Sequence, residues 1–338
     1  MRKRLAVTGL GNVGRRLLEL IQSKQELLRA RFELELVVVA ACDSSGAAMD
    51  AAGLDAAQII ALKRDGKGIA TLAGAVAAMS PGEFARSVEA DVLVELTLTN
   101  LKDGEPGLGA IRAALDRKMH VVTANKGPLV LAYPELAGLA RARGVKLLHS
   151  AAVTGGLPTL NIGTRDLGAT SIHKFEGVVN GTTNYILSRM TEGQSYAEAL
   201  KHARDVGMAE ADPTLDVDGW DAANKLVIIA NAVLRRPTML KDVTVEGIRN
   251  VTAEQLQAAK QHNQVIKLIA LAEKRGNDYH LSVRPTTLER SHPLAGVEAE
   301  MMGILYHTDI NGTIFATIRE EDPYPTAAAV LRDIVQAA

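Results

Sequence analysis

Cysteine is nearly absent: Cys42 is the only one in 338 residues. No intrachain disulfide can form, and a reducing compartment is expected. Aromatic residues make up only 3%. The core must therefore rest on aliphatic and alanine packing, as in helices layered on a parallel sheet. Neither charge sign dominates, with 38 Lys+Arg against 39 Asp+Glu and a net charge of −1. That leaves no basic footprint for nucleic acid or an anionic membrane. Long hydrophobic runs are missing too. The cleanest, Leu36 to Cys42, is far too short to span a bilayer. The opening Met1-Arg2-Lys3-Arg4-Leu5-Ala6-Val7 breaks into Gly9-Leu10-Gly11-Asn12 before a signal-peptide core can form. A cytoplasmic protein without a nucleic-acid or membrane partner is expected. Apolar residues at 47% and charged residues at 23% are ordinary for a globular chain, and the length allows two domains.

What is present begins with a βαβ unit. Leu5-Ala6-Val7 reads as a buried strand, Arg15 to Leu28 as a helix, and Leu34 to Ala41 as a second strand. Between the first strand and the helix lies Gly9-Leu10-Gly11-Asn12-Val13-Gly14, the dinucleotide fingerprint. Gly9 allows the tight turn, Gly11 lets the backbone approach a pyrophosphate, and Gly14 lets helix and strand pack closely. The amides that follow, from Asn12 and Val13 onward, favour phosphate charge. Asp43 closes the second strand where a carboxylate would accept from the ribose hydroxyls of NAD. Lys63, Arg64 and Lys67 could instead receive the extra phosphate of NADP, or form a solvated basic turn. Both cofactors stay open.

Ala47 to Gly82 reads as helical with loops. Asp91 to Leu98 reads as a parallel strand whose end carries Thr97. His120 to Thr123 is a short strand ending at Ala124-Asn125-Lys126, and Val145 to Leu148 closes the alternation. After residue 150 the rhythm changes. Helices are expected at Tyr196 to Val206, Gly219 to Leu234 and Ala253 to Glu273. Strands are expected near His280 to Val283, Ile304 to Thr308 and Thr313 to Ile318. The fold class is α/β: a Rossmann-type parallel-sheet domain over 1–150, followed by an α+β substrate domain over 151–320. A helix within 321–338 is expected to return to the first domain.

The densest chemistry lies between Glu210 and Lys225. Glu210, Asp212, Asp216, Asp218 and Asp221 crowd against the only tryptophan, Trp220, and the apolar run Leu226 to Ala230. Acids beside an apolar helix are costly unless partnered. Asp221 and Lys225 are four apart and share a helix face. Oxidising a hydroxyl by hydride removal also requires a base for its proton. Lys225 suits that role; burial would favour its neutral form, and Asp221 its charged form. Taken alone, such a pair is more often a surface ion pair worth about 0.3–0.5 kcal/mol. Asp212 can shape a turn with Pro213, Asp218 can cap the following helix, and Asp216 can orient Lys225. His149, His173 and His307 lack metal-ligand spacing and read as structural.

The fingerprint, Thr123-Ala124-Asn125-Lys126, Ala152-Val153-Thr154-Gly155-Gly156-Leu157-Pro158, Asn180-Gly181-Thr182-Thr183-Asn184-Tyr185 and the acid-rich stretch occur in order. Together they resemble homoserine dehydrogenase over almost the whole chain. The resemblance implies interconversion of L-homoserine and L-aspartate 4-semialdehyde with NAD or NADP, on the way to threonine, methionine and isoleucine. It implies Lys225 as general acid/base, Glu210 and Asp221 as substrate carboxylates, and Lys126 between nicotinamide and substrate. Thr97 and Gly207 are implied near the cofactor, and a homodimer through the second domain. It further implies a monovalent cation such as Na+ on the carbonyls of Val153, Gly155 and Leu157. Two departures stand out. Ser150 occupies the position of a glutamate ligand to that cation, and Arg319-Glu320-Glu321-Asp322-Pro323-Tyr324-Pro325 replaces a glycine-rich loop near the cofactor. A semialdehyde dehydrogenase forming an acyl phosphate would need a cysteine nucleophile, and Cys42 is misplaced for it. A non-catalytic dinucleotide sensor would have no use for Lys225, Asp221 and Glu210.

Overall fold

The computed structural model describes residues 1–338. The chain divides into two compact units, Met1–Pro158 with Asp322–Ala338, and Thr159–Glu321.

In the first unit strands and helices alternate. They are β1 (Arg2–Thr8), α1 (Asn12–Ser23), α2 (Gln25–Phe32), β2 (Glu35–Asp43), β3 (Gly46–Met49), α3 (Ala56–Arg64), β4 (Val76–Ala77), α4 (Pro81–Ser87), β5 (Val92–Glu95), α5 (Gly107–Asp116), β6 (His120–Thr123), α6 (Lys126–Arg143) and β7 (Leu147–Leu148). The sheet order is β4-β3-β2-β1-β5-β6-β7. The five strands from β2 to β7 are parallel, and β3 and β4 add an antiparallel edge. Strand order reverses between β1 and β5, so ligands are expected at the carboxyl ends of these two strands. Leu5, Ala6 and Val7 are fully buried, as are Val92, Leu93 and Val94. Such continuous apolar runs belong to strands covered on both faces.

Two expectations change here. The helix read over Arg15 to Leu28 is two helices, broken at Lys24. The stretch from Ala47 to Gly82 opens with a strand, because Gly46 to Met49 pairs with β2 from Asp43 back to Ala40. Alanine is compatible with either state, and this sheet pairing decides.

The second unit comprises α7 (Thr159–Asn161), β8 (Ile172–Val178), α8 (Gly181–Thr191), α9 (Tyr196–Asp205), α10 (Thr214–Val217), α11 (Trp220–Ala232), β9 (Thr244–Val245), α12 (Ala253–Gln261), β10 (Gln264–Arg275), β11 (Asp278–Glu289), β12 (Met301–Thr308) and β13 (Thr313–Arg319). Its sheet order is β13-β12-β8-β10-β11-β9, antiparallel except for the short β9. The helix expected over Ala253 to Glu273 is corrected: α12 ends at Gln261 and the chain continues as β10. Asn263 turns left-handed at φ 57°, and Val265, Ile266 and Ile269 then favour a strand. Pairing runs unbroken from Gln264↔Glu289 to Arg275↔Asp278.

The last helix, α13 (Tyr324–Ala337), belongs to the first unit. Val330 and Ile334 share a core with Leu17, Leu18 and Ile21 of α1. No helix is long and apolar enough to cross a membrane.

Candidate active site

At the carboxyl end of β1 each fingerprint glycine has a steric reason. Gly9 has φ +86°, and a Cβ there would lie 2.2 Å from the Leu96 carbonyl oxygen. A Cβ on Gly14 would lie 2.1 Å from the Gly9 oxygen, whereas nothing lies within 4 Å of one on Gly11. Gly11 is the N-cap of α1; no side chain caps the helix and no acid stands in its first turn. Asn12 and Val13 thus begin a helix whose amides are left for an anion. The residues present fit a dinucleotide pyrophosphate.

Asp43 ends β2. Its carboxylate accepts from Ser45 N at 2.8 Å, Ser45 Oγ at 2.6 Å, Lys63 Nζ at 2.7 Å and Ile69 N at 3.0 Å. Desolvation opposes its charge, but these partners hold its pKa below the ordinary carboxylate value. It therefore fastens the loop after β2. The basic cluster is occupied as well: Arg64 pairs with Glu19 at 2.7 Å and Lys67 with Asp65 at 3.3 Å. Where a glycine-rich loop was the family expectation, the Tyr324 hydroxyl donates to Glu19 at 2.6 Å. The Arg16 guanidinium lies 4.8 Å from the Tyr324 ring centroid. The tyrosine hydrogen bond, ahead of the arginines, holds Glu19 below the usual carboxylate range.

Glu95, which the sequence reading passed over, organises the ends of β5 and β6. It is fully buried. It accepts from Thr97 N at 2.8 Å, from the Thr97 hydroxyl, from Thr123 Oγ1 at 2.8 Å and from Asn125 Nδ2 at 3.4 Å. Burial raises its pKa against these hydrogen bonds. One carboxyl group thus fixes Thr97 and the residue preceding Lys126. Asn125 in turn caps α6, accepting from Gly127 N at 3.0 Å, and Lys126 is the first residue of that helix. The available signal was an acid ending an apolar strand.

In the second unit, Lys225 and Asp221 lie on α11, with Nζ and Oδ2 2.7 Å apart and both side chains only 12% exposed. Lys225 Nζ also donates to the Val179 carbonyl at 2.6 Å. Asn180 Nδ2 donates to Asp216 at 2.7 Å and to Asp221 at 2.9 Å. Its Oδ1 caps α8 by accepting from Thr183 N at 2.8 Å. A relay Asp216–Asn180–Asp221–Lys225 results, and Asn180 is its unforeseen member. Glu210 and Gly207 lie in the exposed turn after α9, and Gly207 has φ +77° with open space around it. Asp212 shapes a turn by accepting from Thr214 N at 3.0 Å. Asp218 does not cap α11; it pairs with Arg249, and the N-cap is Gly219.

Cys42 is buried. Burial first, and then the Asp43 charge, push its thiol up to about 12, so it is no nucleophile at neutral pH. Burial pushes His149 down to about 4, and it stacks edge-on against Tyr133 at 5.2 Å. In the segment expected to hold a cation, Thr154 Oγ1 donates to the Val153 carbonyl at 2.7 Å and lies 3.4 Å from that of Leu157.

Known proteins decide the family. The homoserine dehydrogenase family model matches residues 158–335, and its NAD-binding domain matches residues 9–150. The chain belongs to the homoserine dehydrogenase family. A homoserine dehydrogenase of Methanocaldococcus jannaschii is 37% identical over 98% of this chain and 97% of its own. An NAD(+)-dependent homoserine dehydrogenase of Pseudomonas canavaninivorans is 34% identical over 98% and 95%. The crystal structure of a putative homoserine dehydrogenase from Archaeoglobus fulgidus superposes with a TM-score of 0.90 at 36% identity, covering 99% of this chain and 98% of that one. A hyperthermophilic archaeal homoserine dehydrogenase in complex with NADPH superposes at 0.86, with 27% identity over 100% and 98%. The protein is an NAD(P)-dependent oxidoreductase of this family.

Proposed function

We propose that the chain interconverts L-homoserine and L-aspartate 4-semialdehyde with Lys225 as proton donor and acceptor. The supporting observation is the pair of contacts on Lys225, from Asp221 at 2.7 Å and the Val179 carbonyl at 2.6 Å. They take two of the three N–H directions of an ammonium and aim the third. The nicotinamide, when bound, supplies or accepts the hydride. In the reducing direction Lys225 donates a proton to the carbonyl oxygen as it becomes a hydroxyl; in the oxidising direction the neutral amine takes it back. Oxidation of homoserine releases a proton, so alkaline pH favours that direction by mass action. Asp221, whose Oδ2 accepts from Asn180 Nδ2 as well as from Lys225, acts first to orient the lysine and second as a carboxylate toward the substrate ammonium. Glu210 supplies the more accessible carboxylate, and Lys126 faces the substrate carboxylate or reacting oxygen. Gly9, Gly11, Asn12, Val13, Gly14, Thr97 and Gly207 serve the cofactor, and the pathway is that of threonine, methionine and isoleucine.

The test is consumption of NADH and of NADPH with aspartate semialdehyde. Turnover with at least one is expected, and the ratio of kcat/KM assigns the cofactor; no turnover with either refutes the reading. A homodimer through residues 151–320 is the proposed assembly. Light scattering should then return twice the chain mass of 36.0 kDa.

A further inference from the structure

We propose that this chain has replaced the cation of the segment 150–157 with its own side chains. The Thr154 hydroxyl fills the point between the carbonyls, and the Arg332 guanidinium supplies the positive charge.

A cation held by carbonyls needs those oxygens to converge on an open point. Here Thr154 Oγ1 stands 2.7 Å from the Val153 oxygen and 3.4 Å from the Leu157 oxygen, so an ion coordinated by both would collide with it. The residue is 1% exposed and has no room to swing its hydroxyl into solvent. Its backbone is left-handed, with φ +54°, a region where a β-branched residue is an outlier. Glycine would adopt that conformation without a clash. A threonine there is held by its surroundings, and its hydroxyl bond to the loop is part of what holds it.

Position 150 is committed to side-chain partners as well. The amide and hydroxyl of Ser150 both donate to the Asp333 carboxylate, at 2.7 and 2.8 Å. Ser150 is 3% exposed and Asp333 1%. A glutamate at 150 would set a second carboxylate against the first. Arg332, the neighbour of Asp333 on α13, donates from Nη2 to Ser150 Oγ at 3.0 Å and from Nη1 to the Gly156 carbonyl at 3.4 Å. A guanidinium is always charged, and a second cation beside it in a buried loop is repelled. Arg332 and Asp333 bring opposite charges to one serine, so the charge balances without an ion.

The proposal rests on loop geometry; only its kinetic arm rests on the dehydrogenase reading. The full chain is melted in NaCl, KCl and choline chloride at matched ionic strength, with the sodium NMR linewidth followed in parallel. The wild type should show one Tm in all three salts and no line broadening. A saturable rise in Tm specific to sodium or potassium would overturn the proposal. The double variant Thr154→Gly/Arg332→Gln should gain such a rise by mass action, and its indifference would overturn the assignment. Should that variant fail to fold, the pair Thr154→Gly/Arg332→Met, which keeps side-chain length on α13 without the charge, decides: broadening of the sodium line supports the proposal and an unchanged line refutes it. In the kinetic arm kcat/KM should agree within about twofold among the salts, the size of a general salt effect on exposed charges. A chain without turnover in any salt would fail the functional reading, while the melting arm would still decide this one.

Discussion

Replacing Asn180 should separate a structural role from a positioning one. Its amide donates to Asp216 at 2.7 Å and Asp221 at 2.9 Å, and its oxygen caps α8 through Thr183 N at 2.8 Å. Asn180→Ser keeps a good N-cap residue and replaces the two amide donations by at most one from a shorter hydroxyl. Hydrogen bonds to charged acceptors are worth about 1.5–3 kcal/mol each. Asp216 is half-buried, so water recovers part of its share, and a stability loss of about 2–4 kcal/mol is expected. Asp221 then keeps Lys225 but loses its second anchor. The proton donor drifts, and misplacement near 1 Å costs on the order of 10²-fold in rate. Asn180→Ala should lose about 1 kcal/mol more, the value of the cap. Urea unfolding gives the first number, and steady-state turnover of aspartate semialdehyde the second. An Asn180→Ser protein with the wild-type urea midpoint and kcat would refute the relay.

Three other outcomes are expected. Lys225→Ala should lower kcat by about 10²–10⁴-fold, the usual contribution of a general acid, while nucleotide binding followed by fluorescence stays near wild type; an unchanged kcat removes Lys225 from the chemistry. Glu95 has a raised folded pKa, so the native state binds more protons than the unfolded chain once pH passes its ordinary value of 4.5. The stability from Glu95 is thus complete below that value and is lost as pH rises through the folded pKa. Glu95→Gln should flatten this part of the stability profile in urea melts run from acid to neutral pH, and an unaltered slope would show that the carboxyl does not titrate there. Cys42, with its thiol pushed up to about 12, should resist a thiol reagent in the native protein and react once unfolded. Rapid native labelling would reopen the cysteine-dependent alternative.

The first unit was legible because its signals are local. A glycine that must avoid the Leu96 oxygen sits at a fixed offset from a buried strand, and both can be read along the chain. The partners of Asp43, Lys63 and the Ile69 amide, arrive from a distant loop, and spacing along the chain does not reveal them. Glu95 and Asn180 escaped for a related reason. Each acts by joining segments far apart in sequence, and neither residue type is rare at a strand end or helix start. The helix expected through Glu273 failed at Asn263 because alternation in β10 is hidden by its central run Leu268 to Ala272, whose members Leu268, Ile269, Ala270 and Ala272 are all buried. A run covered on both faces carries no period, and a helix and a strand then read alike.

The return of α13 to the first unit has a consequence for how the chain reaches its native state. The contact between Tyr324 and Glu19 spans 305 residues. Burying Val330, Leu331 and Ile334 of α13 is worth about 5–9 kcal/mol at 1.5–3 kcal/mol per side chain. That rivals the entire net stability of an ordinary domain, about 5–15 kcal/mol. On the ribosome the nucleotide-binding half therefore waits, with the apolar face of α1 uncovered, while the whole of the second unit is synthesised. Until α13 emerges, the first unit lacks that share of its core. The second unit, Thr159–Glu321, is one uninterrupted segment and is free to condense first, so the half that begins the sequence is the half that finishes last.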